Sequence, residues 1–299
     1  MDTLDYLRSA GMVIAFCVTA FSGRKNWMLT DLIVSVVFGA AWFILPTYTL
    51  GFQTVGKLNT LHAHVTRDFA AHMLSSAFVW WKTRESRDET VPVTLMTGRV
   101  VGNSILLCAM VYAQKYAAGK GVWTEQHIWF GMLGCACWLL GNLIQLLKTK
   151  DFGGSFQGDT RLDWHLRIDF YIVFVISVVR FAFPEVAPDF VAKQPLLKGG
   201  VDAIIIHMVR AISALSIGYC MTVFNAPMFR YDADKKAVLQ GRLVLGLIMW
   251  LLLLWEVYKG MLSFQAVAIV MLAQSVIFIN AAAGGFFYTR PVPPSLKKN

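Results

Sequence analysis

The sequence predicts an all-α, polytopic membrane protein: two tandem, parallel four-helix units, about eight transmembrane helices, preceded by a short interfacial helix. Three observations predict it. Apolar residues gather into runs of about twenty, the length of helix that crosses a hydrocarbon core. Charge is scarce: of 299 residues 15% are charged and 57% apolar, against about 25% and 45–50% in soluble domains. One set of landmarks occurs twice. Asp31 precedes Pro46, and Asp169 precedes Pro184, by fifteen residues. His64 and Arg67 are three apart, as are His207 and Arg210, and Gly98-Arg99 and Gly241-Arg242 follow those arginines at one common distance. The offset is 138 residues for the first landmarks and 143 for the rest, with five extra residues in the 185–206 loop.

Each element follows in order. Residues 1–26 form a cytoplasmic or interfacial N-terminal segment. Within it, 9–22 is apolar but short for a crossing, and Asp2 and Asp5 stand where a signal peptide would be basic. An interfacial or re-entrant helix is expected there, with a ninth span as the alternative. The first unit, 27–148, has spans at about 27–50, 62–82, 94–114 and 126–147. The glycine-rich, charged stretch 149–166 is a cytoplasmic linker, its end from Leu162 to Ile168 an amphipathic lead into the next span. The second unit, 167–288, has spans at about 167–186, 203–225, 241–258 and 263–287. Residues 289–299 are a cytoplasmic tail. The runs are too long and too continuously apolar for barrel strands, so helices must satisfy the backbone in lipid. A unit of four spans returns the chain to its starting side, so the two copies share one orientation.

The net charge of +9 does not point to nucleic acid, because the cations sit between spans as the positive-inside rule places them. Eighteen of the 27 basic residues fall on the face that holds both termini, which predicts cytoplasmic termini. Trp80 and Trp81 beside Lys82 read as an interfacial belt. The five cysteines lie in apolar segments without redox or zinc spacing, so no disulfide is expected.

Several polar constellations stand out. Asp31 with Arg99, and Asp169 with Arg242, are charged pairs expected near the cytoplasmic membrane edge, since a carboxylate in lipid needs a cation. They are either gating sites or staples, and their repetition favours charge staples. His64-x-x-Arg67 and His207-x-x-Arg210 put both side chains on one helix face near the opposite membrane edge. These four are candidates for lipid-headgroup or interhelix contact. His62, His64 and His72 lack acidic or cysteine partners at zinc spacing, so no metal is expected. Arg180 stands where the first copy has Trp42, with Glu185 as the nearest carboxylate. Asn142, Gln145, Gln274 and Asn280 are suited to hydrogen bonds between helices. No catalytic triad, carboxylate pair or phosphate loop is present, so neither an enzyme nor a cofactor is expected.

Leu45-Pro46, Arg67 and Arg99, and again Phe183-Pro184, Arg210 and Arg242, give a pattern of proline-ended first span, then arginines opening the second and third. In this respect residues 31–115 and 169–258 resemble the tumour protein p53-inducible protein 11 family and, more loosely, DoxX-like four-helix bundles. That resemblance implies an endomembrane, non-enzymatic protein and supplies no catalytic residues. Here the unit is doubled, with longer cytoplasmic loops.

The sequence thus leads to a non-catalytic subunit or scaffold of a membrane complex, holding lipid in grooves between its repeats. Transport of a lipid or small solute is the alternative. Expected partners are membrane lipids and an integral membrane protein, not nucleic acid. Lys297 and Lys298 near the terminus form an imperfect dilysine signal that tilts localisation to the endoplasmic reticulum.

Overall fold

The computed structural model describes residues 3–115, 122–150, 152–154, 160–193 and 201–288. The expected tail at 289–299, with its lysines, and much of the linker lie outside them. Among the described residues the fold is all-helical, with only two isolated bridges, Thr54 to Trp123 and Ala192 to Leu262. Six helices are long and apolar enough to cross a membrane: Arg24–Ile44, Thr90–Lys115, His127–Leu147, Ala203–Met228, Asp232–Tyr258 and Phe264–Phe287. Two of the eight expected spans fall short of that criterion. Helices Thr60–Thr83 and Arg161–Ala182 have the length, but the first carries Arg67, Asp68 and Lys82 and the second Asp163, Arg167, Asp169 and Arg180.

The helices are α1 Thr3–Phe21, α2 Arg24–Ile44, α3 Pro46–Gly51, α4 Thr60–Thr83 and α5 Thr90–Lys115. A π-helical turn, His127–Met132, runs into α6 Leu133–Leu147. Then come α7 Arg161–Ala182, α8 Val186–Val191, α9 Ala203–Asn225, α10 Asp232–Tyr258 and α11 Phe264–Ala282. Three sequence expectations need correction. The N-terminal helix begins at Thr3, earlier than the expected 9–22, and ends at Phe21; α1 is held to α6 by Gln145, whose amide donates to the Ala20 carbonyl at 2.5 Å. The fifth span starts earlier, because Thr160 and Asp163 form a reciprocal capping box that nucleates α7 at Arg161. Leu162 to Ile168 is therefore the opening of α7 and not a separate lead. The first and fifth spans do not run through their prolines. A proline ring blocks the preceding helical turn and offers no amide, and α2 and α7 end just before Pro46 and Pro184.

The core lies where α4, α5, α9 and α10 meet. α5 and α9 approach so closely that a Cβ on Gly98 would lie 2.6 Å from the Gly218 carbonyl oxygen, and the converse holds for Gly218. Small residues at a four-residue spacing, Gly98 and Gly102 facing Ala214 and Gly218, permit that backbone contact. α4 meets α10 less tightly, with the Ser75 hydroxyl donating to the Gly241 carbonyl at 2.7 Å. The outward faces of α2, α7 and α11 expose Leu29, Ile33, Val37, Tyr171, Val175, Leu272, Val276 and Ile279. Such continuous apolar surface is what a lipid-facing helix presents.

Charges also sit differently from the sequence expectation. Lys235 is buried, with its ammonium 2.6 Å from Asp163. Trp80 is buried in the core, and only Trp81 faces outward, with the Lys82 ammonium 5.8 Å from its ring.

Candidate functional site

The two expected staples form. Arg99 meets Asp31 at 2.9 Å and the Ser35 hydroxyl at 2.9 Å, while Ser35 donates to the same carboxylate at 3.1 Å. Arg242 reaches both carboxylate oxygens of Asp169, at 3.2 and 3.3 Å. Aromatic faces complete each arginine's surroundings: Trp138 lies 5.0 Å from Arg99 and Tyr219 4.6 Å from Arg242. All four charged residues are buried. Arg99 and Arg242 lie nine and ten residues into α5 and α10, about 13–15 Å along the axis. The helices begin well before the arginines, because Thr90-Val91-Pro92 and Asp232 start them in residues the hydropathy pattern assigns to loops. Between the pairs lies a small cavity of about 30 Å³ edged by Ser75, Tyr219 and Thr222.

The fourth and eighth spans brace these pairs. Asn142 accepts from the Trp27 indole at 3.2 Å and donates to Asp31 at 3.5 Å. Asn280 faces His165 Nδ1 at 2.9 Å and donates to the His165 carbonyl at 2.9 Å. Gln274, also of the eighth span, has no partner for its side-chain oxygen.

The two histidine–arginine motifs share one job and divide on the other. Arg67 Nε donates to the Phe43 carbonyl at 3.3 Å, and Arg210 Nε to the Phe181 carbonyl at 3.4 Å. Each arginine thus closes the C-terminal end of the helix that its proline interrupts, where carbonyls lack amide partners and the helix dipole favours a cation. Beyond that they differ. Arg67 also meets Glu256 at 3.4 Å, with His64 Nδ1 4.0 Å from the same oxygen. Next to it Asp68 meets Arg180 at 3.2 Å and His72 at 3.1 Å. Arg180 therefore pairs across the bundle with Asp68 and not with Glu185. Arg210 instead stacks 5.2 Å from the Tyr112 ring, and His207 packs edge-on to Trp123 at 4.8 Å. The four residues do not line one common groove. Among the described residues no group of three His, Cys, Asp or Glu is placed to hold a metal.

At the entrance to α4, the amide of Asn59 donates to His62 Nδ1 at 3.1 Å, leaving the ring's other nitrogen to face Asp202 at 2.8 Å. Asp202 also caps α9, accepting from Ile204 and Ile205 at 3.0 Å each. Burial pushes the Asp202 carboxyl up, but the His62 contact and these two amides outweigh it and hold its pKa below the usual range.

An apolar cavity of about 150 Å³ lies within the bundle. Met12 and Phe16 of α1 form part of its wall, with Phe38 and Trp42 of α2, Leu106 of α5, Phe130 of the π-turn and Met208 of α9. Its lining also includes Trp123, His127, His207, Asn103, Arg99 and Trp138. Each of these six has a buried side-chain nitrogen without a hydrogen-bond partner. The sequence reading found only His207 and Arg99 among them. Trp123 and His127 are carried by a connector and an irregular turn, where periodicity gives no signal. Gly131 allows the arrangement: a Cβ there would fall 2.9 Å from Gln53 Oε1 and 3.3 Å from His127 Nδ1.

The family described as "Domain of unknown function (DUF8292)" matches residues 29–286. The chain belongs to that family. Neither a curated protein nor a solved structure matches it. The DUF8292 region contains both ion pairs and all six unpaired cavity nitrogens, while α1, with Met12 and Phe16, precedes it.

Proposed function

We propose that this protein is a non-catalytic integral membrane subunit or scaffold that holds a lipid within its helical bundle. The observation that carries this reading is the apolar cavity of about 150 Å³, a volume comparable to one that takes up benzene. An aqueous solute pathway would be lined mainly by polar groups, whereas these walls are chiefly methionine, leucine, phenylalanine and tryptophan. The charged pairs act as staples in this reading. Each joins two helices and faces packed aromatic rings.

The proposal includes two parallel four-helix repeats with eight spanning helices, α4 and α7 crossing with their charges turned inward. The order of elements supports it: a proline-ended long helix, a short helix, then three long helices, twice over. The proposal includes cytoplasmic termini, on the distribution of basic residues between spans, and an endomembrane location such as the endoplasmic reticulum. Kinship with the p53-inducible protein 11 family and DoxX-like bundles belongs to the same proposal, as does an integral membrane partner.

Transport of a lipid or small solute is the second reading. The network of Arg67, Glu256, Asp68, Arg180 and His72 favours it, since buried ionisable groups often mark pathways. Purification of the native protein in mild detergent, with mass spectrometry of what remains bound, tests both. A stoichiometric partner protein and a retained lipid are expected. A protein that purifies alone and lipid-free, but moves a solute or proton in proteoliposomes, would replace the scaffold reading with transport.

A further inference from the structure

Trp123, His127 and His207 form one tight aromatic group. The Trp123 ring lies 4.2 Å from that of His127 and 4.8 Å from that of His207, and the imidazoles are 5.5 Å apart. All three are more than nine-tenths buried. Trp123 Nε1, His127 Nε2 and His207 Nδ1 have no partner within the protein. Their roles can be assigned. Gln53 Oε1 lies 3.1 Å from His127 Nδ1, so that nitrogen donates and Nε2 is left as an acceptor. His207 Nδ1 faces the cavity without a partner and is an acceptor in the Nε2–H tautomer. The indole is a donor only. Within this group one donor and, in that tautomer, two acceptors stand unmatched at the edge of an apolar space, beside the unpaired donors of Asn103, Arg99 and Trp138. A buried polar atom without a partner is costly.

We infer that the cavity takes a neutral lipid bearing a free hydroxyl, read by Trp123, His127 and His207. This rests on the lipid-holding function proposed above and names the chemistry that selects the lipid. A hydroxyl is the small group that both accepts and donates. Its oxygen accepts from the Trp123 indole, and its proton goes to an imidazole nitrogen. A carbonyl or ether leaves both imidazoles unmatched. A cationic head is opposed by nearby Arg99, and an anionic one meets two imidazole lone pairs. The cavity admits a group about the size of a benzene ring, so the polar head enters and the apolar remainder leaves between helices. A sterol or long-chain alcohol supplies one hydroxyl; a monoacylglycerol supplies two and matches both imidazoles.

The test measures binding of cholesterol, oleyl alcohol and monooleoylglycerol, each beside its O-methylated form, to the full chain in mild detergent. The free hydroxyl is expected to bind about tenfold more tightly than the ether, the worth of one buried hydrogen bond. Preference for monooleoylglycerol over cholesterol would identify the diol as the source, and the reverse the sterol. His127→Phe and His207→Phe, made separately, should shrink the alcohol-over-ether preference in at least one case. Trp123→Phe should weaken alcohol and ether alike, because both oxygens accept from the indole, leaving the alcohol-over-ether ratio to the histidines. Equal binding of alcohols and ethers to the native chain would overturn the hydroxyl inference while leaving lipid binding intact. Binding of none of the six, or binding that survives filling the cavity with Ala211→Phe, would overturn both.

Discussion

Four pairs of positions, related by the offsets that separate the sequence landmarks, carry opposite chemistry. Trp42, Ala211 and Leu215 line the cavity, and Ala113 is buried in the same apolar cluster as Trp123. Their counterparts 138 or 143 residues away are Arg180, Asp68, His72 and Glu256, which form the ion network between α4, α7 and α10. The backbone plan is alike on the two sides, and so are the arginines that close the first helices. What fills the space between helices is not. On one side paired charges close it, and on the other apolar rings surround an opening. At these four pairs of positions, similar helical arrangements carry ion pairs on one side and an apolar-lined opening on the other.

The largest expected effects lie in what the halves share. Removing one member of a buried ion pair strands the other, at a cost of about 3–5 kcal/mol. Arg99→Ala and Arg242→Ala should therefore each sharply lower the unfolding temperature in detergent. Asp31→Asn combined with Arg99→Met should recover much of the loss, because no isolated charge remains. A double variant as unstable as Arg99→Ala would refute the staple role.

The next experiment sets the halves against each other. Asp68→Ala leaves Arg180 and His72 without their carboxylate and should cost about 1–3 kcal/mol, with bound lipid unchanged. Ala211→Phe, at the matching position, should abolish lipid retention with less effect on unfolding. Loss of lipid in both variants would dissolve the distinction. Smaller effects are expected from Arg67→Lys and Arg210→Lys, about 1 kcal/mol each as the bond to a helix-end carbonyl weakens. Arg67 should be the more sensitive, since it also meets Glu256.

The smallest concerns pH. The Asp202 carboxyl has a lower pKa folded than unfolded, so its contribution is fully present above the unfolded value, near pH 4, and is lost as pH falls through the folded one. Asp202→Asn should flatten the acid side of the stability curve and leave the curve's shape above pH 5 unchanged; acid unfolding titrations would show it.

Much of this architecture is legible in residue order. The positions of Pro46 and Pro184 mark the helix ends, and the recurring aspartates and arginines name both ion pairs. Pairing across the bundle is harder to read. Arg180 and Asp68 are 112 residues apart, and Arg67 and Glu256 189, so no local spacing links them. The one available signal was an arginine in an apolar run opposite a tryptophan in the other copy. The early start of the N-terminal helix was not legible because Asp5 and Arg8 dilute its apolar pattern; Asp5 contacts Gln126 at 3.3 Å. The unmatched nitrogens of Trp123 and His127 depend on the π-turn and on Gln53, which periodicity cannot reveal.

The outer position of α1 has a consequence for how selectivity can change. Met12 and Phe16 shape the cavity from a helix outside the family-defining region. Phe16 is buried in the core against Trp27, whereas Met12 is only partly buried. Under the proposed lipid-holding role, a change at Met12 would retune the chamber's contour at small cost to the fold, and a change at Phe16 would alter contour and frame together.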